Sequence, residues 1–187
     1  MSKALTAAII TLIVGFAGML AYNGLSQIGD NKGYEPDQPI AFSHKVHAGD
    51  NKISCLYCHF GAEKSRHAGI PPANVCMNCH SNIKKDSPEI KKIVDAIKTN
   101  KPIEWTKVHK MADFVYFNHA QHVSVAKVSC QTCHGSVEKM MRMKQDSDLT
   151  MGWCIDCHRS SDVVVHGTTK VKKVSDMGGA DCARCHY

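Results

Sequence analysis

One short motif, Cys-x-x-Cys-His, occurs five times in the 187 residues and uses all ten cysteines of the chain. Two thiols three residues apart, followed at once by a histidine, fit the attachment of a c-type haem: the thiols bond to the haem vinyl groups and the histidine binds the iron. Disulfides need no histidine after every pair. Zinc sites also use Cys-x-x-Cys pairs, but they tolerate almost any residue after the second cysteine. The repetition therefore predicts five covalently bound haem c groups.

We number the motifs 1 to 5 in chain order; they read CLYCH, CMNCH, CQTCH, CIDCH and CARCH. The predicted attachment cysteines are Cys55, Cys58, Cys76, Cys79, Cys130, Cys133, Cys154, Cys157, Cys182 and Cys185. The predicted proximal iron ligands are His59, His80, His134, His158 and His186.

A repeated segment before motifs 1 and 3 predicts ligands for the opposite side of the iron. AFSHKVH and YFNHAQH share Phe-x-His-x-x-His at an offset of 75 residues, from Phe42 to Phe117, and seven residues separate each from the next motif. A second strong axial ligand is typical of a low-spin electron carrier, whereas an open position permits catalysis or gas binding. We expect the first histidine of each pair to serve the haem just downstream and the second to serve another haem. The four predicted distal ligands are His44, His47, His119 and His122.

The repeat leaves the distal ligand of the fifth iron open. The remaining histidine candidates are His67, His109 and His166. The stretch GSVEKMMRMKQ after motif 3 adds three methionine candidates: Met140, Met141 and Met143. Any single methionine is more often a core residue than a ligand. A methionine-ligated haem would have a higher potential than its bis-histidine neighbours, and that difference would give the row of haems a direction.

The length and the charge bound the fold class and the partners. The 187 residues divided by five haems leave roughly 37 residues each, which cannot build a large side-chain core. We therefore expect a mostly irregular and α-helical protein with short helices and a haem-packed core. The formal charge of +6 does not indicate nucleic acid, because five haems add on the order of ten propionate charges of opposite sign. No nucleic-acid partner is predicted.

The N-terminus predicts a membrane anchor. After Lys3 an uncharged run from Ala4 to Asn23 is long enough to span a bilayer, and longer than the apolar core of a signal peptide. No A-x-A-like cleavage site follows, so an uncleaved transmembrane helix is favoured over a cleaved signal. With Lys3 on the cytoplasmic side, the haem region would lie on the periplasmic side of a bacterial inner membrane.

These features divide the chain into five predicted segments. They are an anchor at 1–23, a juxtamembrane linker at 24–40, a two-haem module at 41–86, a connecting helix and linker at 87–115, and a three-haem module at 116–187. The connecting helix is predicted from Ser87 as N-cap, Pro88 at the first position and an apolar stripe that begins at Ile90.

Several longer stretches carry a family resemblance. The segments QPIAFSHKVHAGDNKISCLYCH, IPPANVCMNCH, VHKMADFVYFNHAQHV, LTMGWCIDCHR and CARCHY resemble the pentahaem cytochrome c subunit of bacterial alternative complex III, a membrane complex that oxidises quinol. The histidine modules are more broadly similar to class III multihaem cytochromes. The resemblance runs from residue 38 to the end and includes the anchor. The candidate distal ligands that match the family pattern are His44, His47, His109, His119, His122 and Met140.

The resemblance implies six candidates for five iron positions, so one is spare; His67, His166 and Met143 match the pattern less well. It also implies a non-catalytic subunit that relays electrons from a quinol-oxidising core to a periplasmic cytochrome or terminal oxidase. That core would contain an iron–sulfur subunit and polytopic membrane subunits. Two alternatives stay open: a stand-alone, single-anchor quinol dehydrogenase that feeds periplasmic reductases, and a multihaem reductase with an open iron.

Overall fold

The computed structural model describes residues 2–26, 29–165 and 167–186. The chain divides into two compact units, Met1–Asp30 and Asn31–Tyr187. The first unit contains helix α1, Lys3–Ser26, whose segment Lys3–Leu25 has a mean hydropathy of 2.3. A helix of this length extends about 36 Å and is long and apolar enough to cross a membrane.

The second unit is mostly helical and irregular, with short elements, as predicted. Its further helices are α2 (Cys55–Cys58), α3 (Ala73–His80), α4 (Pro88–Thr99), α5 (Cys130–His134) and α6 (Met151–Ser160). Two π-helical turns span Lys45–Asp50 and Gln121–Val125, and three 3₁₀ turns span Val137–Lys139, Ser175–Met177 and Cys182–Arg184. The strands β1 (Asp162–Val164) and β2 (Val171–Lys173) pair antiparallel between motifs 4 and 5.

Motifs 2, 3 and 4 lie within helices, motif 1 has both cysteines in α2 with His59 as the C-cap residue, and motif 5 begins in a 3₁₀ turn. Residues three and four apart share one face of a helix, so a helical turn presents both cysteines and the histidine to the same side. Two of these helices have side-chain N-caps. The Ser54 hydroxyl accepts from the backbone N–H of Leu56 at the start of α2, and the Thr150 hydroxyl accepts from that of Trp153 in α6, both at 3.3 Å. Local sequence therefore preorganises the attachment turns.

The connecting helix α4 confirms the prediction from its apolar stripe. Ser87 is its N-cap residue and Pro88 its first residue, while Asn100 ends it in a left-handed conformation. Ile90 and Ile93 pack with Ile40 in the largest apolar cluster among the described residues. The other residues against this cluster are Ala73, Cys76, Met77, Ile103 and Trp105. This helix thus supports the helix of motif 2.

Part of the predicted linker belongs to the second unit. From Asn31 onward the chain is within that unit. The backbone N–H of Gly33 donates to the Gln145 carbonyl at 2.7 Å, and the Gln145 N–H donates to the Tyr34 carbonyl at 3.1 Å. The Gln145 side chain is fully buried and accepts from the Lys110 N–H at 2.9 Å. Residues near 33, 110 and 145 are thereby held together.

The two segments that carry the repeat pack against each other reciprocally. We call residues 41–86 module A and residues 116–187 module B, with equivalent positions 75 residues apart. The Lys45 N–H in module A donates to the Met140 carbonyl in module B at 2.9 Å. The equivalent Ala120 N–H in module B donates to the Ser65 carbonyl in module A at 3.1 Å. The duplicated sequence therefore forms an internal, approximately two-fold interface.

Candidate haem-binding site

Four of the five motif histidines face a second histidine of the repeat. The distances between ring centres and the angles between ring planes are His44–His59, 6.4 Å and 11°; His47–His80, 6.0 Å and 62°; His119–His134, 6.5 Å and 2°; and His122–His158, 6.0 Å and 21°. The first histidine of each repeat therefore faces the motif just downstream, and the second faces the next motif along the chain. The sequence predicted the downstream motif for the first histidine and only another haem for the second.

These distances fit an iron between the two rings of each pair. A metal–imidazole bond is about 2 Å long, and the ring centre lies about 1 Å behind the nitrogen, so two axial imidazoles place their centres roughly 6 Å apart. Either parallel or inclined ring planes satisfy this arrangement, because each ring can rotate about its bond to the metal. The described residues thus fit haem ligation at motifs 1 to 4.

In most of these histidines a backbone carbonyl accepts a hydrogen bond from Nδ1. A neutral histidine that offers Nε2 to a metal carries its proton on Nδ1 and donates it to an outer partner. The Nδ1 acceptors for the motif histidines are Gly69 O for His59 (2.7 Å), Ile83 O for His80 (2.9 Å) and Gly179 O for His158. For the repeat histidines they are Ser43 O for His47 (2.8 Å), Arg66 O for His119 (2.9 Å) and Asn118 O for His122 (2.9 Å). Every Nε2 in this set is therefore free to face a metal.

Burial favours the neutral form of His44 and His134. Burial, together with the smaller effects of the nearby His59, His47 and His109, lowers the pKa of His44 to about 4. It likewise lowers the pKa of His134 to about 4, with a further contribution from His109 and other neighbouring histidines. A neutral imidazole is the form that binds metal, so protons compete weakly for these nitrogens at neutral pH.

Sequence reasoning assigned no role to the phenylalanine of the repeat. Phe42 stacks on His47 with ring centres 4.4 Å apart and meets His44 edge-on at 4.9 Å. Phe117 stacks on His122 at 4.4 Å and meets His119 edge-on at 4.8 Å. Each phenylalanine therefore orients both histidines of its repeat. Phe42 and Phe117 share the 75-residue offset of the histidines, and this was the signal that could have indicated their role.

Motif 5 has a different environment. The ring of His186 lies against that of Phe114, with ring centres 5.5 Å apart, and the Phe114 carbonyl accepts from His186 Nδ1 at 3.2 Å. No described histidine stands opposite His186 at the separation found for the other four. The second axial ligand at motif 5 is therefore not identified by ring pairing.

The other candidate ligands lie in different surroundings. His67 is exposed, Met143 is half-buried, and Met140 is buried with 8% of its surface exposed. Met141 is 61% exposed, and its sulfur accepts from the Ser43 hydroxyl at 3.4 Å. His166 lies outside the described residues. Among the described candidates, His67 is not brought into a ring pair with a motif histidine, and the roles of all these residues stay predictions.

His109 lies beside motif 3. Its Nε2 is 3.0 Å from Nδ1 of His134, and the two rings meet edge-on with centres 4.5 Å apart. Burial lowers the pKa of His109, and His119 lowers it further. The structure thus places His109 within hydrogen-bond distance of Nδ1 of a motif histidine, His134.

Motifs 1 and 2 are in direct contact. The Asn78 side-chain amide, between the cysteines of motif 2, donates to the Tyr57 hydroxyl of motif 1 at 2.9 Å. Burial raises the pKa of the Cys58 thiol, and the nearby Cys76 and Cys79 of motif 2 contribute to the rise. Groups attached at these two motifs would therefore be neighbours.

Motif 3 lies between motifs 1 and 4. Burial raises the pKa of the Cys130 thiol, and the nearby Cys55 of motif 1 raises it to a smaller extent through its charge and a hydrogen bond. Burial, together with the smaller effects of Cys157 and Cys154 in motif 4, raises the pKa of the Cys133 thiol to about 11. One cysteine of motif 3 is thus close to motif 1 and the other is close to motif 4.

Motifs 4 and 5 are also neighbours. Burial raises the pKa of the Cys154 thiol, and Cys185 of motif 5 is the next contributor. His158 of motif 4 donates to the carbonyl of Gly179, three residues before motif 5 begins. The motifs therefore follow one another in space in the order 2, 1, 3, 4, 5.

Two comparisons with known proteins agree with this site. The family described as "Cytochrome c7 and related cytochrome c" matches residues 115–187, which contain motifs 3 to 5. A protein of Nitratidesulfovibrio vulgaris named "Menaquinone reductase, multiheme cytochrome c subunit" is 31% identical over 159 residues, covering 81% of this chain and 69% of that protein.

The chain belongs to the multihaem cytochrome c family, as this extent of similarity and the motifs together show. Membership implies covalently bound haem c, which confirms the predicted type of cofactor. It also supports electron transfer linked to quinone chemistry as the general function.

Proposed function

We propose that each of the five motifs carries one haem c and that the chain is a membrane-anchored relay subunit of a quinol-oxidising complex of the alternative complex III type. The observation that carries the proposal is the set of four facing histidine pairs on motifs that succeed one another in space. Haem iron with two axial histidines supplies reversible one-electron transfer. The five-motif count supports five haems, which intact-mass measurement of the purified protein would test.

The order of the motifs gives the relay two ends. Motif 2 lies at one end, beside α4, and motif 5 lies at the other. Motifs 1 and 3 form the middle, where the modules exchange the Lys45–Met140 and Ala120–Ser65 hydrogen bonds. Electrons entering at one end would pass through the internal interface before leaving at the other.

The residues suit transfer better than catalysis at motifs 1 to 4. A catalytic iron needs an open position with reactive groups around it. The facing histidines occupy that position, and carbonyls and phenylalanines hold most of their rings in place. We infer that these four centres are low-spin and change little in geometry between their two redox states.

Helix α1 supports attachment to a membrane, and the partners we propose follow from it. A single apolar helix offers little of a quinol pocket, so quinol would bind to polytopic membrane subunits and pass electrons through an iron–sulfur subunit to this chain. The haem unit would lie on the periplasmic side of the bacterial inner membrane, where a periplasmic cytochrome or a terminal oxidase would accept the electrons.

The relative's name favours a second candidate, the same relay used in the opposite direction. A menaquinone reductase passes electrons towards quinone. The histidine pairs described above permit electron transfer in either direction, because axial histidine ligation alone sets no direction. In this case a periplasmic donor would reduce one end of the relay and the membrane partner would reduce menaquinone.

Two measurements test these proposals. Membranes solubilised in mild detergent are separated on a native gel, stained for haem, and the co-migrating proteins are identified by mass spectrometry. We expect a large assembly with iron–sulfur and polytopic subunits; a chain that runs alone would instead support the stand-alone quinol dehydrogenase. The isolated assembly is then mixed with a reduced quinol analogue, and haem absorbance is followed. Rapid haem reduction supports quinol oxidation, whereas reduction only by a periplasmic donor supports menaquinone reduction.

A further inference from the structure

His109 and His134 form the only side-chain hydrogen bond between histidines within the described residues. The distance from His134 Nδ1 to His109 Nε2 is 3.0 Å, and the rings are inclined by 86°. Edge-on rings at this distance allow the N–H of one to point along the lone pair of the other. Both side chains are partly buried, so water competes little for either nitrogen.

The direction of this hydrogen bond follows from the position of His134. Its ring lies parallel to that of His119 with 6.5 Å between ring centres, the arrangement expected for two axial ligands. With Nε2 given to the metal, the proton of neutral His134 is on Nδ1, which makes this nitrogen the donor. His109 must then accept through Nε2 and carry its own proton on Nδ1.

This arrangement removes His109 from the set of axial ligands. An imidazole nitrogen has one lone pair in the ring plane, and a lone pair that accepts a hydrogen bond is not available to iron. The remaining nitrogen, Nδ1, is protonated. The family resemblance left six candidates for five positions, and the contact with His134 identifies His109 as the spare one.

The acceptor at motif 3 differs from those at the other motifs. His59, His80, His158 and His186 donate to backbone carbonyls. An imidazole nitrogen is a stronger base than a carbonyl oxygen, so it draws the Nδ1 proton further from the ligand. The ligand becomes more electron-rich, which stabilises the oxidised iron and lowers the reduction potential.

We propose that His109 is a positioning residue that orients His134 through its Nδ1–H and holds the haem at motif 3 at a lower potential than a backbone carbonyl would. The proposal rests on haem attachment at motif 3 and not on the direction of the relay or on its partners. A failed relay assignment on the native gel would leave it standing.

The test compares His109→Leu and His109→Gln in the purified full-length protein. Leucine fills a similar volume without an acceptor, whereas glutamine restores a carbonyl acceptor. Spectroelectrochemical titration measures the reduction steps, and electron paramagnetic resonance measures the spin state of each iron. We expect His109→Leu to move one step to higher potential, His109→Gln to move it less, and neither variant to gain a high-spin signal. Lys107→Ala, exposed in the same segment, is the control and should leave all steps in place.

Two results would overturn the proposal. A new high-spin iron in His109→Leu would show that His109 is an axial ligand after all. An unchanged titration curve would show that the hydrogen bond does not tune the potential. If His109→Leu does not mature to the wild-type haem content, His109→Gln decides by the same two criteria, because an axial histidine replaced by glutamine would also leave a high-spin iron.

Discussion

Modules A and B place the rings of their histidine pairs at nearly the same separations although much of their sequence differs. The ring separations are 6.4 and 6.5 Å at the first motif of each module, and 6.0 Å at the second in both. Lys52 and Lys127, also 75 residues apart, both have φ of 55° at the end of the π-helical turn. The backbone of the repeat therefore sets the distance between axial ligands, and few side chains are needed for it.

The modules differ in the hydrogen-bond partners of Nδ1 in these histidines. His119 in module B donates through Nδ1 to the Arg66 carbonyl of module A. The equivalent His44 has a buried Nδ1 with no hydrogen-bond partner among the described residues. His59 donates to a carbonyl, whereas its equivalent His134 donates to His109. Two equivalent histidine pairs that we propose as axial ligands thus have different hydrogen-bond partners at Nδ1, and such partners tune potentials.

The largest effect is expected from removing the distal histidines themselves. His44→Ala and His119→Ala should each convert one low-spin iron to high spin, because each deletes an axial ligand. Electron paramagnetic resonance would detect the change, and added imidazole should reverse it. His119→Ala should also lose about 0.5–1.5 kcal/mol of stability with the Arg66 hydrogen bond, which His44→Ala does not lose. Wild-type spin states in both variants would refute the pairing described here.

The next effect concerns the tightest contact between the modules. A Cβ at Gly49 would overlap the Glu138 carbonyl, and that carbonyl belongs to the backbone and cannot rotate away. We expect Gly49→Ala to cost about 1–3 kcal/mol through forced displacement. Thermal unfolding should show a Tm lower by about 2–4 °C for each kcal/mol. Gly152→Ala, where a Cβ meets nothing within 4 Å, is the matched control.

A smaller effect is expected at the position in module B that is equivalent to Gly49. Ser124 fills the corresponding space with a hydroxyl that donates to the Glu63 carbonyl at 2.7 Å. Ser124→Ala should therefore lose about 0.5–1.5 kcal/mol without a steric clash. The comparison is made by thermal unfolding of both variants in one buffer. A larger loss for Ser124→Ala than for Gly49→Ala would contradict the asymmetry between the two halves of the interface.

The smallest effect is expected where module B carries Arg142 in place of the exposed His67. Arg142 pairs with Glu35 and Asp37 at the surface, where solvent screens the attraction. Arg142→Ala should lower the Tm only slightly, and the difference from wild type should shrink as salt is raised. A large, salt-independent loss would show instead that Arg142 acts through packing.

The local pattern was sufficient to predict much of the site. The motifs predicted haem attachment because two cysteines bond to the haem vinyl groups and the following histidine binds the iron. The repeat predicted that the first histidine of each pair would serve the motif just downstream and the second another motif. The apolar stripe predicted that α4 is a helix with one packing face, and the residue that this face meets is Ile40. Each of these signals lies within a few residues or within one repeat.

Contacts between distant segments could not be predicted in this way. The carbonyls of Arg66, Gly69 and Ile83 accept from histidines that are predicted iron ligands, but a backbone carbonyl has no sequence signal. His109 looked like an axial ligand because its residue type matched. Its contact with His134, 25 residues away, is the basis on which we propose a positioning role for it instead.

By itself, the amino-acid sequence determined the chemistry of this protein: the attachment motifs, the histidine pairs and the apolar N-terminal helix are all properties of short segments. The tertiary structure decided the order 2, 1, 3, 4, 5 of the motifs, the reciprocal packing of modules A and B, and the partner of each Nδ1. The physical reason is that hydrogen bonds and burial depend on which distant backbone atoms come within about 3 Å, and chain folding alone sets those distances.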